Sequence, residues 1–226
     1  MPPLVLKVDS VQLAFNERKI LQDVYLECQQ GQVIGLLGRN GSGKSSLLRV
    51  IFGTQQASYK YVSIDGTFIH KGYHNNRIGY LPQHGFLPNN IQISKLAKML
   101  VDEVFWDSFT ELNIYKLYAY KTPGQLSGGE LRQLEMLMII HSKADFILLD
   151  EPFTHISPIQ ADEFKPVIRA CAKRKGIIIT DHQYYNILDV SDKVILLNNG
   201  CTKHITHNNE LITYGYLSGN HIQLQS

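Results

Sequence analysis

A mixed-sheet α/β fold, opening with an antiparallel β subdomain and carrying an inserted helical lobe, is predicted by three features of this 226-residue chain. Short, continuous apolar runs recur along it, stretches long enough for crossover helices separate them, and the region 88–122 reads as helical. Continuous apolar runs are what a parallel sheet demands, because crossover helices cover both of its faces and leave few strand positions pointing at water.

The elements follow in order. Residues 4–15 and 21–27 alternate apolar and polar around a turn-like Asn16-Glu17-Arg18, the period of antiparallel strands with one wet face. Val33–Leu37 is instead unbroken, lies between Gly31 and Gly38, and reads as a strand buried on both faces, with a helix over about 43–52 behind it. Ile78–Leu81, 146–149, 177–180 and 194–197 are further buried strands, and 160–173 is a crossover helix. Within 88–122, Ile93, Leu96, Leu100 and Val104 recur at helical spacing before a cluster of aromatics. This lobe extends to about residue 140 once the following helix is included. No repeat or long linker divides the chain, so 1–226 is expected to be a single domain, with the short polar segment 208–226 finishing it.

Composition narrows the function classes. With 44% hydrophobic and 19% charged residues the chain is an ordinary globular one, and a net charge of +2 without a dense Lys/Arg run speaks against a nucleic-acid partner. Cys28, Cys171 and Cys201 are odd in number and far apart, which argues against a disulfide framework or zinc site and fits a reducing cytosol. The apolar runs, such as 136–140, are far shorter than the roughly 18 residues of a spanning helix, and the N-terminus has no secretory pattern. A cytoplasmic location is expected, with any membrane work needing a partner that supplies the spans.

Three segments carry chemistry. Gly38-Arg39-Asn40-Gly41-Ser42-Gly43-Lys44-Ser45 matches G-x4-GK[ST] between an apolar strand and a helix. Its glycines let backbone N–H groups wrap phosphates, and the helix dipole adds to the attraction. Gly38, Asn40, Gly41, Ser42, Gly43, Lys44, Ser45 and Ser46 are therefore the ATP-binding candidates, with Lys44 for the β- and γ-phosphates and the Ser45 hydroxyl for Mg²⁺. An accidental glycine-rich turn would match in about 1% of chains this long. Asp150 and Glu151 end the apolar run Phe146-Ile147-Leu148-Leu149, where open α/β sheets place ligands. Asp150 is a candidate to help hold Mg²⁺ and Glu151 a candidate base for the attacking water, although strands ending at solvent also carry acids often. Leu126-Ser127-Gly128-Gly129-Glu130 places two glycines where a helix interior would lose about 2 kcal/mol, so they belong at the start of the helix over 131–140. Ser127, Gly128 and Gly129 then form a second anion-binding helix N-terminus.

These residues resemble the ATP-binding cassette (ABC) ATPases, whose signature is LSGGE or LSGGQ, and the resemblance spans essentially the whole chain in the right order. It implies a P-loop NTPase with a RecA-like core. It also implies a dimer of two cassettes packed head to tail, the signature of one closing over ATP on the phosphate loop of the other. Gln83 in Tyr80-Leu81-Pro82-Gln83 looks like the family's Q-loop glutamine, His182 after Ile179-Thr180-Asp181 looks like its switch histidine, and Phe15 falls where an aromatic stacks on adenine. By the same resemblance Glu151, His182, Gln83 and Lys44 are the catalytic candidates, and Ser45, Gln83 and Asp150 the metal candidates. At the interface loop Ser157 stands where the family has aspartate, which implies altered coupling between the two ATP sites.

The function implied is that of the Mg-ATP-hydrolysing motor of an ABC transporter. It would pair with a second, identical cassette and sit on the inner face of the cell membrane through separate transmembrane permease subunits. The surface 84–106, with Phe86, Leu87 and Phe105, is the docking candidate. A soluble ABC ATPase clamping ribosome or nucleic acid is the rival, but the paired cassettes, coiled-coil insertions, zinc motifs or basic arms of such proteins are not seen here. A catalytically degraded cassette is a further alternative, against which every phosphate-facing motif is intact. Asp150-Glu151-Pro152-Phe153, Thr180-Asp181-His182-Gln183 and Gly215-Tyr216-Leu217 resemble the compact lipopolysaccharide-export and branched-chain amino-acid cassettes.

Overall fold

The computed structural model describes residues 2–217 and divides them between two sheets. The larger has six strands in the order β11 (Cys201–Ile205), β10 (Lys193–Asn198), β4 (Val33–Leu37), β9 (Gly176–Thr180), β8 (Phe146–Asp150) and β7 (Ile78–Leu81). Every neighbouring pair is parallel except the β10/β11 hairpin. The smaller, antiparallel sheet is built on β1 (Val5–Phe15), which pairs with β2 (Arg18–Leu21), β3 (Tyr25–Gln29) and β5 (Tyr59–Ile64), with β6 (Thr67–Phe68) on the far edge.

The unbroken apolar runs of β4, β8 and β9 have the reason expected of them, since all their residues are buried and alternate ones enter two different cores. Val33 and Leu37, Ile147 and Leu149, and Ile177 and Ile179 face a core shared with the helical lobe. Ile34 and Leu36, Leu148, and Ile178 face the opposite core, against Leu47, Leu48 and Ile51 of α1 (Lys44–Phe52) and Leu6 and Val8 of β1. The phosphate loop leaves β4, the Gln83 segment leaves β7, Glu151 follows β8, and Asp181 and His182 follow β9. Four neighbouring parallel strands thus deliver these groups to one carboxyl edge, the place where open α/β sheets bind ligands.

The lobe consists of α2 (Ile93–Leu100), α3 (Glu103–Thr110), α4 (Asn113–Tyr118) and α5 (Gly128–Ile140). Crossovers α6 (Pro158–Ala172) and α7 (Tyr184–Val190) return the chain to the sheet, and α8 (Asn209–Thr213) ends the described residues that are helical.

Several expectations need correction. The alternation over 21–27 belongs to two strands, β2 and β3, because Gln22 and Asp23 turn aside to donate to the Gly200 carbonyl; Leu21, Val24 and Leu26 are all buried, so the apolar pattern runs through the break. The spacing from Ile93 to Val104 is not one helix face. The chain leaves α2 at the extended Val101, Asp102 caps α3 by accepting from the Val104 N–H, and Val104 is 66% exposed. Gly128 and Gly129 form the first turn of α5 rather than preceding it. In the docking candidate, Leu87 is buried in the lobe core and Phe105 packs edge-on against His141, which leaves Phe86 as the only one of the three on the neighbouring groove. The β5/β6 and β10/β11 hairpins, turning at Asp65-Gly66 and Asn199-Gly200, were not expected from the pattern. Residues 218–226 of the C-terminal segment lie outside those described.

Candidate functional site

The phosphate loop curls because its glycines take backbone angles that side chains resist, Gly41 at φ 76° and Gly43 at φ 105°, the latter serving as N-cap of α1. The loop now turns its cation inward. Lys44, 6% exposed, donates through Nζ to the carbonyls of Gly38 (2.7 Å) and Arg39 (3.3 Å), and burial lowers its pKa despite the nearby Glu151 and Asp150. A buried ammonium resting on carbonyls is poised to move to a stronger anionic partner. Ser42 Oγ is buried without a hydrogen-bond partner, a donor left for a ligand.

Next to the loop, Ser45 Oγ donates to Asp150 Oδ1 (2.9 Å) and the Tyr80 hydroxyl donates to Asp150 Oδ2 (3.0 Å). Burial raises the pKa of Asp150, the two hydrogen bonds counter it, and burial beside Asp150 raises that of Tyr80. Glu151 takes the left-handed conformation, φ 52°, which a non-glycine residue holds only when its surroundings over-determine it. Its N–H donates to the Thr180 carbonyl at 2.8 Å. Its Oε2 accepts from Gln83 Nε2 at 2.7 Å and lies 2.8 Å from His182 Nε2. Asp181 accepts from the N–H groups of Gln183 (2.9 Å) and Phe153 (3.3 Å), tying the segment after β9 to the one after β8.

Phe15, Arg18, Ile20, Asn40, Gly41, Ser42, Gly43, Lys44, Ser45, Ser46, Arg49, Gln83, Glu151 and His182 line one open cleft of 550 Å³. Phe15 stands at its wall, 48% exposed. On the far side of the loop, Gly215-Tyr216-Leu217 joins Gly38, Arg39, Asn40 and His182 around a second opening, and Arg39 Nη2 donates to the Gly215 carbonyl at 2.5 Å. Tyr80, Arg18 and Arg49 were missed by motif reading. None of the three carries a local signal, and Tyr80 reaches Asp150 only because β7 pairs with β8.

The signature residues Ser127, Gly128 and Gly129 do not line that cleft. Ser127 caps α5 in a reciprocal box: its N–H donates to the Glu130 carboxylate (2.8 Å), and its Oγ accepts from the Glu130 N–H (3.4 Å). The Tyr118 hydroxyl donates to the same carboxylate, whose pKa these bonds hold down to about 2. Gly129 is required by closeness, since a Cβ there would lie 2.8 Å from the His155 carbonyl, whereas Gly128 faces open space. Ser157 is committed locally as the N-cap of α6, boxed with Gln160.

The cleft fits a magnesium nucleotide: donors and a lysine for phosphates, an aromatic wall, and a hydroxyl paired with a buried carboxylate. Among the described residues no group of three or more His, Cys, Asp or Glu side chains could hold a metal alone. Ser45, Asp150 and Gln83 can supply only part of a shell, which phosphate oxygens and water must complete.

Comparison with known proteins bears on the family and the fold. A family model described as ABC transporter matches residues 21–154. The lipopolysaccharide export system ATP-binding protein LptB of Haemophilus influenzae is 30% identical over 213 residues, 87% of this chain and 88% of that one. The sulfate/thiosulfate import ATP-binding protein CysA of Bacillus cereus is 27% identical over 218 residues, 88% of this chain and 60% of that one. Among solved structures, an ATP binding subunit of an ABC transporter superposes with a TM-score of 0.82 at 18% identity, covering 93% of each chain, which bears on the fold.

Proposed function

Because the chain belongs to the ABC transporter family, as an ATPase subunit that drives transport, we propose that two copies close head to tail on two molecules of ATP and so move a separate membrane permease. The observation that carries this reading is the split site. Glu151, Gln83 and His182 meet at the mouth of the phosphate cleft, while the Ser127-Gly128-Gly129 start of α5 lies outside it. A second copy supplying its own α5 N-terminus would complete the cleft, since N–H groups at a helix start favour phosphate.

Lys44 leaves its carbonyls for the β- and γ-phosphates, and the loop N–H groups and Ser42 hydroxyl hold the remaining oxygens. Ser45, Asp150 and Gln83 would hold Mg²⁺, which would supply charge neutralisation to the phosphates. Glu151 orients and deprotonates the attacking water, and His182 donates a hydrogen bond toward the γ-phosphate. Phe15 stacks on adenine. Loss of the γ-phosphate removes the contacts of Gln83 and His182 together, which reopens the pair.

No helix among the described residues is long and apolar enough to cross a membrane. In this reading a separate permease supplies the spans and the chain works at the cytoplasmic face of the membrane through it, as the names of the transport-system relatives support. Its dock is an apolar groove of 350 Å³ between sheet and lobe, lined by Phe52, Tyr80, Phe86, Met99 and Ile139 among others. Met99 is 77% exposed there, an apolar side chain suited to a partner helix.

The test is Glu151→Gln beside wild type, followed by light scattering in Mg-ATP and by phosphate release. Loss of a general base slows the reaction by about 10²–10⁴. The variant is expected to hold ATP as a dimer while wild type turns over. A monomer hydrolysing ATP at the wild-type rate would remove both the base and the sandwich.

A further inference from the structure

One buried ion pair on α5 is unused by the chemistry above. Arg132, 4% exposed, donates through Nη1 to the Pro82 carbonyl (2.6 Å) and through Nη2 to the carbonyls of Asp150 (2.8 Å) and Glu151 (2.9 Å). Glu135, one turn further and 1% exposed, places Oε2 3.7 Å from Arg132 Nη1. Its Oε1 accepts from the N–H groups of Phe86 (2.8 Å) and Leu87 (3.2 Å). The two side chains thus grip the Gln83 segment on either side of Gln83, and the turn that bears Glu151.

Such a pair is a poor device for stability alone, because desolvating two charges offsets most of their attraction and an apolar pair packs as well. What it supplies is geometry. Arg132 Nε is left without a partner, so the guanidinium is held for the two nitrogens that span separate segments. A planar fork can reach Pro82 and the Asp150 and Glu151 carbonyls at once; an ammonium is a single point. The left-handed Glu151 is clamped from both sides, its N–H by the Thr180 carbonyl and its own carbonyl by Arg132.

We propose that the Arg132–Glu135 pair is the positioning element for hydrolysis: it holds Gln83 and Glu151 in register with each other and with the helix that begins at the signature glycines. Motion of α5 against a second copy is thereby passed to the Glu151 carboxylate. This rests on the reading of Glu151 as the base, which the Glu151→Gln variant above tests separately.

The experiment compares wild type, Lys44→Ala, Gln83→Ala, Arg132→Lys and Glu135→Gln, measuring Mg-ATP affinity, kcat and KM. Arg132→Lys is expected to bind Mg-ATP within about threefold of wild type and to lose at least about tenfold in kcat with KM little changed. Glu135→Gln keeps the acceptor for Phe86 and Leu87 but loses the charge facing Arg132. Its kcat is expected to fall about threefold, again at constant KM. In Arg132→Lys combined with Gln83→Ala, the losses are expected to be less than multiplicative, because both act through one geometry.

A kcat within about twofold of wild type in Arg132→Lys, or a loss carried by KM, would overturn the proposal. If Arg132→Lys does not fold, an unchanged kcat in Glu135→Gln overturns it. Hydrolysis by wild type that Lys44→Ala abolishes upholds the ATPase reading whatever the Arg132 result; wild type that does not hydrolyse ATP sinks both.

Discussion

Tyr80→Phe isolates one hydrogen bond to Asp150, the buried carboxylate of the proposed metal position. Asp150 is 1% exposed, and its oxygens are served by Ser45 at 2.9 Å and Tyr80 at 3.0 Å. The phenyl ring of the variant keeps its place 5.2 Å from Phe52, so the packing stays and only the hydroxyl is lost. Removing a hydrogen bond to a charged group costs about 1.5–3 kcal/mol. For a chain of this size each kcal/mol lowers Tm by about 2–4 °C, so the nucleotide-free variant should melt about 3–12 °C below wild type. The pH dependence has a definite sign. Burial already raises the Asp150 pKa above its unfolded value, and losing the Tyr80 donor raises it further. Folded protein then binds the extra proton, so the deficit is absent at pH below the unfolded value and grows as pH rises through the folded one. Tyr80 itself stays a protonated donor throughout, its own pKa being raised by burial and by Asp150. Mg-ATP should narrow the deficit, because the metal brings the carboxylate a stronger partner. Calorimetry with EDTA and with Mg-ATP, at pH 5 and pH 8, reads all three effects. A Tm within about 1 °C of wild type at pH 8, or a deficit that grows on acidification, would refute the reasoning.

Burial pushes the Cys28 thiol up to about 12 and the Cys171 thiol up to about 11, while Cys201 is half-buried. At pH 8 only about one in 10³ Cys171 thiols is ionised, so a chromogenic disulfide reagent should titrate one fast thiol per native chain; two would contradict the packing. Ser157→Ala removes the α6 cap and should destabilise the chain by about 1 kcal/mol in urea unfolding. Ser157→Asp keeps a capping acceptor and should fold as wild type does while changing turnover or its Hill coefficient. If both kinetic values were unchanged, the serine would have no part in coupling the two ATP sites of the proposed dimer.

Most of the candidate site was legible because phosphate binding is written into short segments. Gly41 and Gly43 need positive φ, Lys44 must follow them, and the β4 run must precede them; each is a local demand on neighbouring residues. The β8 acids and the boxed start of α5 are local in the same way, although Glu130 as the second half of the Ser127 cap went unread. Edges of the fold were less legible. Alternation passed unbroken from β2 into β3 since both strands turn apolar residues to one core, and the helical spacing ran past Asp102, where a cap rather than hydrophobicity ended the face.

Strand class, the order of the motifs and the identity of the phosphate loop were therefore determined by sequence alone, because backbone conformation and burial on two faces constrain neighbouring residues directly. Only the tertiary structure decided that Tyr80 meets Asp150 across 70 positions and that Arg132 meets Pro82 across 50. Those contacts depend on β7 lying beside β8 and on α5 crossing beneath their ends. Strand order is a long-range property of the sheet, and no local period records it.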